Sequence, residues 1–314
     1  MIAIGIDIGG TSIKGAAVDC NGKVYETFSM PFIKGEPGAL TIRKLASLVK
    51  DYISRLNLEK EVIGIGIGSP GTLNVAEGVV EYSNNLGWNQ LRVADIIHET
   101  LPYPVRLTND ANAAALGEAK YGAGKEYSNI IMLTLGTGVG GGIVIDGKLY
   151  EGNLGKAGEL GHVVVQVDGE PCTCGRKGCL EAYASATALI RETKKAMLEH
   201  KESLLWKFCP DINGIGARTT FDAAKEGDSV AIELIDNYVK YLGEGILNYC
   251  NIFRPEVIVL SGGVANAGDY LFNKLNAYVK ERNYGYKETP EVKILPAKLG
   301  YDSGKIGAAA LFFA

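Results

Sequence analysis

A glycine-rich strand–turn–strand pattern that occurs twice places the strongest constraint on the fold of this chain. Residues 7–25 read DIGGTSIKGAAVDCNGKVY, and residues 134–150 read TLGTGVGGGIVIDGKLY. In each copy a glycine turn leads into an apolar strand and then into a hairpin with the letters GK. Glycine hairpins also resemble one another by chance, which is the alternative to a duplication. Repetition of a whole supersecondary unit favours duplication, so the pattern predicts two duplicated α/β domains that face a cleft.

Strands alternate with helices along the rest of the chain. Apolar runs predict strands at Ile2–Ile8, Ile13–Val18, Val24–Phe28, Val62–Gly68 and Val105–Thr108. Helical patterns are found at 45–56, 111–121, 228–250, 266–282 and 303–313. This alternation predicts a largely parallel sheet that is covered by helices. We expect an N-terminal α/β domain of residues 1–108 together with the C-terminal helix 300–314, and a C-terminal α/β domain of residues 109–299.

Composition excludes several classes of protein. Glycine is in excess, with 41 residues among 314, compared with a usual frequency of about 7%. The net charge of −4 argues against a nucleic-acid partner, because binding to a phosphate backbone needs a concentrated basic surface. No apolar run approaches the roughly 20 residues that span a bilayer, and the first residues lack the basic region of a signal peptide. Cysteines are too sparse for a secreted disulfide framework. We therefore expect a cytoplasmic protein with neither a nucleic-acid nor a membrane partner.

Glycine clusters at three strand ends indicate phosphate binding. They lie at Gly9-Gly10-Thr11, at 136–142 and at Gly262-Gly263, where backbone N–H groups can close on an anion. The pattern G-x-G-x-x-G occurs at 66–71 and 136–141, but a dinucleotide site needs a helix directly after it. The later copy enters a strand instead, and the earlier one contains a proline and enters a stretch that we expect to be irregular. A P-loop is excluded because no Gly-Lys pair precedes Ser or Thr. The remaining interpretation is a β-hairpin phosphate cradle on each domain, although tight turns use glycine in any case.

The segment TNDANA, residues 108–113, ends a predicted strand and opens a predicted helix. In isolation, Asp110 at this position is typical of a helix N-cap. The functional alternative is a carboxylate at the carboxyl end of a strand, where open α/β sheets bind their ligands. Such a carboxylate is able to accept a proton from a substrate hydroxyl during phosphoryl transfer. Both interpretations stay open from these residues alone.

One histidine and three cysteines form a compact set of potential metal ligands. The segment GELGH ends at His162, and CTCGRKGC follows at 172–179. The whole chain has only three histidines and six cysteines. Three Cys and one His in a tetrahedron make a structural zinc site with no open position for chemistry. The alternative is a chance cluster of reduced thiols, but clustered cysteines inside cells are more often metal ligands.

At this point the motifs resemble those of the ROK family of sugar kinases and repressors, within the actin/hexokinase/Hsp70 ATPase superfamily. The resemblance extends nearly end to end and rests on GIDIGGTSIKGAAVD, GIGSPGTLN, NNLGW, TNDANAAALGE, LTLGTGVGGGI, AGELGH, CTCGRKGCLEAYAS and VIVLSGGV, in the order of the family. Within the family it is greatest to the bacterial glucokinase branch. It implies two duplicated actin-like (ribonuclease H-like) α/β domains around a cleft, with a small structural zinc loop at 162–179.

The resemblance also implies an activity and the residues that carry it. The activity is ATP-dependent transfer of the γ-phosphate to the 6-hydroxyl of a hexose. Glucose is the expected substrate, and the reaction belongs to glycolysis. Asp110 would be the general base. Sugar hydroxyls would be bound by Gly71, Asn84, Asn109, Asp110, Glu159, His162 and Glu181. ATP would be bound by Gly10, Thr11, Ser12 and Lys14, by Thr137 and Gly138, and by Gly262 and Gly263. Structural Zn²⁺ would be held by His162, Cys172, Cys174 and Cys179, and Asp7 would position Mg²⁺ through water. Members of the family form homodimers or homotetramers, and we expect the same here.

Other activities share most of these residues. N-acetylmannosamine, fructose, allose and N-acetylglucosamine are the alternative sugars, because a few pocket contacts set selectivity. Sugar-responsive repressors of the family carry an additional helix-turn-helix domain, for which we expect no room because the first strand begins at Ile2. An assembly ATPase of the actin type is a third class, but a protein of that class would not need the GELGH and cysteine motifs. The site motifs therefore favour a kinase.

Overall fold

The computed structural model describes residues 1–285 and 287–313. The strands are β1 (Ile2–Ile8), β2 (Ser12–Asp19), β3 (Val24–Pro31), β4 (Val62–Ser69), β5 (Thr72–Asn74), β6 (Val79–Ser83), β7 (Trp88–Arg92), β8 (Val105–Asn109), β9 (Ile130–Leu135), β10 (Val139–Ile145), β11 (Lys148–Leu149), β12 (Val257–Ser261) and β13 (Lys293–Pro296). The α-helices are α1 (Gly38–Arg55), α2 (Val93–His98), α3 (Asp110–Tyr121), α4 (Glu181–Ala184), α5 (Ala186–Glu199), α6 (Leu205–Phe208), α7 (Ala217–Lys225), α8 (Ser229–Phe253), α9 (Asp269–Arg282) and α10 (Ser303–Ala310). Short 3₁₀ turns lie at Asn153–Gly155, Leu160–His162, Ile212–Gly214, Gly263–Ala267 and Gly300–Asp302.

The first sheet has the strand order β3-β2-β1-β4-β8. Strand β2 is antiparallel to β1 and β3, whereas β1, β4 and β8 are parallel. Asp7 is in register with Gly68, and Gly68 is in register with Thr108. Because parallel strands end at one edge of a sheet, Asp7 and the residues that follow Thr108 lie at the same edge.

The second sheet repeats this arrangement with the order β11-β10-β9-β12-β13. Its hairpin pair β10 and β11 is antiparallel, and its later pair β12 and β13 is parallel. In both sheets a three-strand meander is therefore followed by two strands that arrive after helical crossovers. The prediction of two duplicated α/β units is confirmed.

The chain separates into two compact units. The first comprises Met1–Ile130, Gly142–Gly158 and Lys298–Ala314, and the second comprises Ile131–Gly141 and Glu159–Ala297. The sequence predicted a division after residue 108, ahead of α3, whereas α3 belongs to the first unit. The predicted C-terminal helix 300–314 corresponds to α10 and the turn before it, and Ala314 lies outside the described residues.

Helices α3 and α10 pack closely because small residues face each other. A Cβ atom on Gly307 would lie 1.6 Å from the carbonyl oxygen of Ala113, and one on Gly117 would lie 2.5 Å from that of Ser303. Such distances are far inside van der Waals contact, so both positions require glycine. The close packing fixes the beginning of α3, which carries Asp110.

Glu118 anchors the far end of α3. Its side chain is fully buried and its two oxygens accept hydrogen bonds from the backbone N–H groups of Ala123, Lys298 and Leu299, at 2.8, 3.1 and 2.7 Å. A buried carboxylate is tolerated only when its lone pairs are satisfied in this way. One side chain thus fastens the end of a helix to the segment in which the chain returns to the first unit.

The stretch after Gly71, which the sequence predicted to be irregular, forms an antiparallel sheet of β5, β6 and β7. Its strands are only three to five residues long, and glycines between them obscure the alternation of polar and apolar residues. Leu73, Val80 and Trp88 bury one face of it in the core of the first unit. The prediction was wrong because packing on that core, rather than local pattern, forms this sheet.

Helix α8 is the longest helix, with 25 residues. It is amphipathic and buries one face in the second unit, including Ile235, Leu242 and Tyr249. Across residues 1–285 and 287–313, no helix combines the length and the apolar character that a bilayer crossing demands.

Candidate functional site

The four predicted metal ligands converge. One ligand atom from each of His162, Cys172, Cys174 and Cys179 lies within 4.8 Å of all the others. The Sγ atoms of Cys174 and Cys179 are 3.7 Å apart, and the Sγ atom of Cys172 is 3.5 Å from Nδ1 of His162. With Zn–S bonds of about 2.3 Å, the sulfur–sulfur edge of a tetrahedron is about 3.8 Å. The donor set and its spacing therefore fit zinc.

The backbone of residues 162–179, the metal loop, brings the cysteines together. Short antiparallel bridges pair Val164 with Cys179 and Pro171 with Lys177. Gly178 has a φ of +78°, and a Cβ atom there would lie 1.7 Å from the carbonyl oxygen of Gln166. This position therefore excludes every other residue. The three cysteines of this loop are free thiols that form no disulfide.

Burial opposes ionisation of the thiols in this loop. It raises the pKa of Cys172 to about 12 and also raises the pKa of Cys179. For Cys174, burial acts in the same direction, but hydrogen bonds from the Arg176 backbone and the neighbouring thiols outweigh it and lower the pKa. Zinc binds thiolates, so metal binding here would release protons.

His162 turns its two ring nitrogens toward different groups. Nδ1 faces Cys172, and Nε2 lies 4.0 Å from Oε2 of Glu159. His162 is the last residue of the 3₁₀ turn Leu160–His162, and the buried hydroxyl of Tyr249 donates to the carbonyl oxygen of Leu160 in that turn at 2.6 Å. With Nδ1 on a metal, Nε2 would carry the proton and act as a donor. The side chain of Glu159 is largely exposed and available to a ligand.

The first glycine turn lies at the end of β1. Its closing hydrogen bond runs from the N–H of Gly9 to the carbonyl oxygen of Ser12, at 3.0 Å. Gly10 and Thr11 are exposed, and a Cβ on Gly10 would meet no heavy atom of the described chain within 4 Å. The turn is thus open to an anion.

Asp7 is the last polar residue before this turn. Burial raises its pKa, and the positive charges of Lys14 and Lys305 act to lower it. Gly304 packs against its carboxyl group, where a Cβ would approach to 2.8 Å. A carboxylate is an oxygen ligand of the kind that a divalent cation prefers, and the nearby lysine charges suit a polyphosphate.

The side chain of Glu181 contacts the second glycine loop. Oε2 of Glu181 accepts from the backbone N–H of Val139 at 3.0 Å, and Oε1 accepts from the hydroxyl of Thr173 at 2.8 Å. A Cβ on Gly138 would lie 2.3 Å from Oε2, so the carboxylate lies against the loop. Thr137 is exposed, as an anion-binding loop requires.

The third glycine pair follows β12. Gly262 has a φ of +92°, and a Cβ there would lie 2.4 Å from the carbonyl oxygen of Leu135 at the end of β9. Gly263 is open on its side-chain face to 4 Å among the described residues. This pair therefore lies beside the strand that leads into the second glycine loop.

Asp110 is the first residue of α3 and not its N-cap. The cap is Asn109, whose Oδ1 accepts from the N–H of Ala111 at 2.9 Å. Oδ1 of Asp110 accepts from the same N–H at 2.9 Å. Asn109 therefore occupies the N-cap position that the capping interpretation gave to Asp110, and the two side chains share the Ala111 N–H. Its carboxylate begins the helix, where the helix dipole favours negative charge.

Glu151 is a polar residue near this segment that sequence analysis missed. Its Oε1 accepts from the hydroxyl of Thr108 at 2.6 Å, and Thr108 is fully buried. Burial raises the pKa of Glu151, and the hydrogen bond from Thr108 acts to lower it. No local pattern marks Glu151, since the pair is separated by 43 residues.

Gly71 and Asn84 lie together at the start of β5 and the end of β6. Gly71 has a φ of +111°, and a Cβ there would lie 2.3 Å from the carbonyl oxygen of Tyr82. Asn84 is exposed, and the hydroxyl of Tyr82 donates to its Oδ1 at 3.5 Å. Gly71 directly precedes β5 and Asn84 directly follows β6, so both border the three-stranded sheet that the sequence did not predict.

The predicted residues therefore form groups within each unit. The first unit gathers Asp7, Gly10, Thr11, Ser12, Lys14, Asn109 and Asp110 at one sheet edge, with Gly71 and Asn84 on the small sheet. The second unit gathers Glu181 with Thr137, Gly138 and the metal cluster, and His162 with Glu159.

The sequence model of the ROK family matches residues 3–314. The chain is 39% identical over 314 residues to the glucokinase of Halalkalibacterium halodurans, covering 98% of this chain and 94% of that one. A ROK family glucokinase from Streptomyces griseus, solved in complex with glucose and AMPPNP, superposes with a TM-score of 0.80 at 32% identity and 99% coverage of both chains. The xylose repressor of Caldicellulosiruptor bescii is 33% identical over 285 residues, which are 90% of this chain and 70% of the repressor.

Proposed function

This chain belongs to the ROK family, and on that premise we propose that it is an ATP:hexose 6-phosphotransferase with glucose as its substrate. The observation that supports this most directly is the arrangement of Asp7 and Asp110, at one sheet edge beside the first glycine turn. Phosphoryl transfer needs one acid for the metal–nucleotide and one for the attacking hydroxyl. The similarity to glucokinases supports the choice of sugar.

Asp110 acts as the general base in this proposal. Its carboxylate accepts the proton of the sugar 6-hydroxyl as that oxygen attacks the γ-phosphorus. The bond from the γ-phosphorus to the bridging oxygen breaks, and ADP leaves with that electron pair. The proton stays on Asp110 until solvent removes it.

Hydroxyl groups both donate and accept, so carboxylates, amides and imidazole suit a sugar. We assign its binding to Gly71, Asn84, Asn109, Asp110, Glu159, His162 and Glu181. Nε2 of His162 would donate, and the exposed carboxylate of Glu159 would accept.

Backbone amides hold the nucleotide phosphates in this proposal. Gly10, Thr11, Ser12 and Lys14 form the first phosphate loop, Thr137 and Gly138 form the second, and Gly262 and Gly263 border the adenosine. Mg²⁺ would neutralise phosphate charge when bound. The carboxylate of Asp7 would position this ion through water.

Zinc has a structural role in the proposal, because four protein ligands leave no position for substrate. His162, Cys172, Cys174 and Cys179 would hold it, and the bound metal would fix the ring of His162. Three reduced thiols favour a cytoplasmic setting. We also propose a homodimer or homotetramer, which light scattering would test.

A coupled ADP-release assay tests the proposal. Mg·ATP is offered with glucose, N-acetylmannosamine, fructose, allose and N-acetylglucosamine, and zinc content is measured on the same sample. We expect turnover to be highest with glucose. A higher kcat/KM for another sugar would reassign the substrate. Absence of turnover with every sugar, in zinc-loaded protein that binds ATP, would refute the kinase and favour a sugar-binding regulator like the repressor relatives.

A further inference from the structure

The carboxylate of Glu181 joins two parts of the second unit to which the proposed function gives separate roles. One oxygen, Oε1, accepts from the hydroxyl of Thr173 at 2.8 Å and lies 3.6 Å from Sγ of Cys172. The other, Oε2, accepts from the N–H of Val139 at 3.0 Å. Thr173 lies between two metal ligands, and Val139 ends the second glycine loop. The side chain of Glu181 therefore bridges the metal loop and the nucleotide loop.

The residues that follow Glu181 hydrogen-bond to the other end of the second glycine loop. The N–H of Ala186 donates to the carbonyl oxygen of Gly136 at 2.8 Å, and the hydroxyl of Thr187 donates to that of Thr137 at 2.8 Å. Residues 181–187 thus contact the loop at three successive points. Cys179, a metal ligand, is fully buried only two residues earlier. A shift of the metal loop would reach the glycine loop through this short segment.

We propose that Thr173 is a positioning residue that, through Glu181, couples the metal loop to the glycine loop, so that the metal-loaded loop favours ATP binding. This inference rests on the proposed function for the identity of the nucleotide. Thr173 itself is exposed and contributes one hydrogen-bond donor. It fixes the carboxylate in the orientation that receives the Val139 amide, and it has no contact with reacting atoms in this role.

This coupling is compatible with sugar binding by Glu181. Oε1 already accepts from the Thr173 hydroxyl and the Cys172 thiol, but Oε2 has two lone pairs and can accept a sugar hydroxyl in addition to the Val139 amide. The two roles differ in what the loss of Thr173 would change. A role restricted to the sugar would alter sugar affinity, whereas coupling to the glycine loop would alter ATP affinity and the protection of the Val139 amide.

Hydrogen exchange tests the link without any need for turnover. Thr173→Val removes the hydroxyl at nearly constant volume, and Thr173→Ser restores it as a matched control. Exchange of the Val139 amide should accelerate about two- to tenfold in Thr173→Val and in zinc-stripped wild type, and Thr173→Ser should match wild type. Zinc content shows that the metal loop of each variant is loaded. Unchanged exchange at Val139 in loaded Thr173→Val would overturn the inference.

Binding measurements on the same proteins separate the two ligands. Titration calorimetry should give a Kd for ATP that is about two- to tenfold higher in Thr173→Val than in wild type, with the Kd for glucose unchanged. A change confined to the glucose Kd would overturn the coupling. Wild-type protein that phosphorylates no sugar would refute the proposed function instead, while exchange at Val139 would still decide the link.

Discussion

Asn109 is the N-cap of α3, and an Asp110→Asn variant keeps the Oδ1 acceptor that shares the N–H of Ala111, so the chemistry of Asp110 is testable without loss of the helix. Asp110→Asn should lower kcat by at least about 10²-fold, because the amide cannot accept the hydroxyl proton. Binding of glucose and ATP should persist, since the side chain keeps its size. Steady-state kinetics and calorimetry measure the two effects separately.

Asp51→Asn is the matched control for this variant, because Asp51 is exposed on α1. It should leave kcat unchanged. Full turnover by Asp110→Asn would remove Asp110 from the chemistry and leave it a structural residue at the start of α3.

Glu151 predicts a pH-dependent contribution to stability. Burial raises its pKa above the ordinary value of 4.5. The folded state then holds the proton more tightly than the unfolded chain, so stability falls as pH rises from 4.5 through the raised pKa. Glu151→Gln removes this penalty and keeps an oxygen for Thr108. Its melting temperature relative to wild type should therefore rise between about pH 4 and about pH 7.

The exposed carboxylate of Glu61 provides the comparison for that experiment. Glu61→Gln should give a melting-temperature difference that is independent of pH over the same interval. A difference for Glu151→Gln that is equally flat would show that the carboxyl group ionises in the folded protein as it does in water.

The side chain of Glu118 anchors the far end of helix α3. In Glu118→Gln, the amide NH₂ group must face at least one of the three backbone N–H groups that the carboxylate now accepts. A buried donor left unsatisfied costs about 1–3 kcal/mol. Urea unfolding should show a loss of this size. Glu126→Gln, at a side chain that is 78% exposed, should have no measurable effect, and equal stability of the two variants would contradict the anchoring role.

Elements with a strong local pattern were predictable from the sequence. The run Ile2–Ile8 and the helix at 111–121 have the predicted type and nearly the predicted bounds. The repeated glycine turn predicted the duplication of an α/β domain, because a strand–turn–strand unit is encoded within about 20 residues. The predicted helix at 266–282 begins later, at Asp269, because Gly268 takes a φ of +69° that ends the preceding 3₁₀ turn.

Contacts between distant elements could not be read from local pattern. The ligand set of the metal cluster was predictable, since cysteine and histidine are rare and closely spaced. The partners of Glu181 and Glu151 were not, because a carboxylate in a sequence is compatible with solvent, a cap or a buried hydrogen bond. The fold decides among these possibilities. It brings Thr173 and Val139 to the side chain of Glu181, and it brings Thr108 to the side chain of Glu151.

At the scale of the whole molecule, loss of the metal should affect one unit. Cys174→Ser replaces a thiolate ligand with a hydroxyl, so the variant should hold less than one equivalent of zinc and should melt at a lower temperature. Because the four ligands lie within the second unit, hydrogen exchange should increase across 159–181. Strands β1 and β4 of the first unit should keep their protection.

Cys20→Ser is the control for this experiment, because Cys20 is exposed and outside the cluster. It should retain zinc, melting temperature and exchange pattern. One full equivalent of zinc in Cys174→Ser would refute the four-ligand site.

The metal loop has a consequence for biosynthesis. All four ligands lie between residues 162 and 179, so bringing them together requires closure of only a short loop, at a small entropic cost. With zinc at this proposed site, a nascent chain on the ribosome would be able to bind the metal before α8 has been translated. The hydrogen bond from Tyr249 to Leu160 can form only afterwards, and α8 would then dock onto a loop that has already matured.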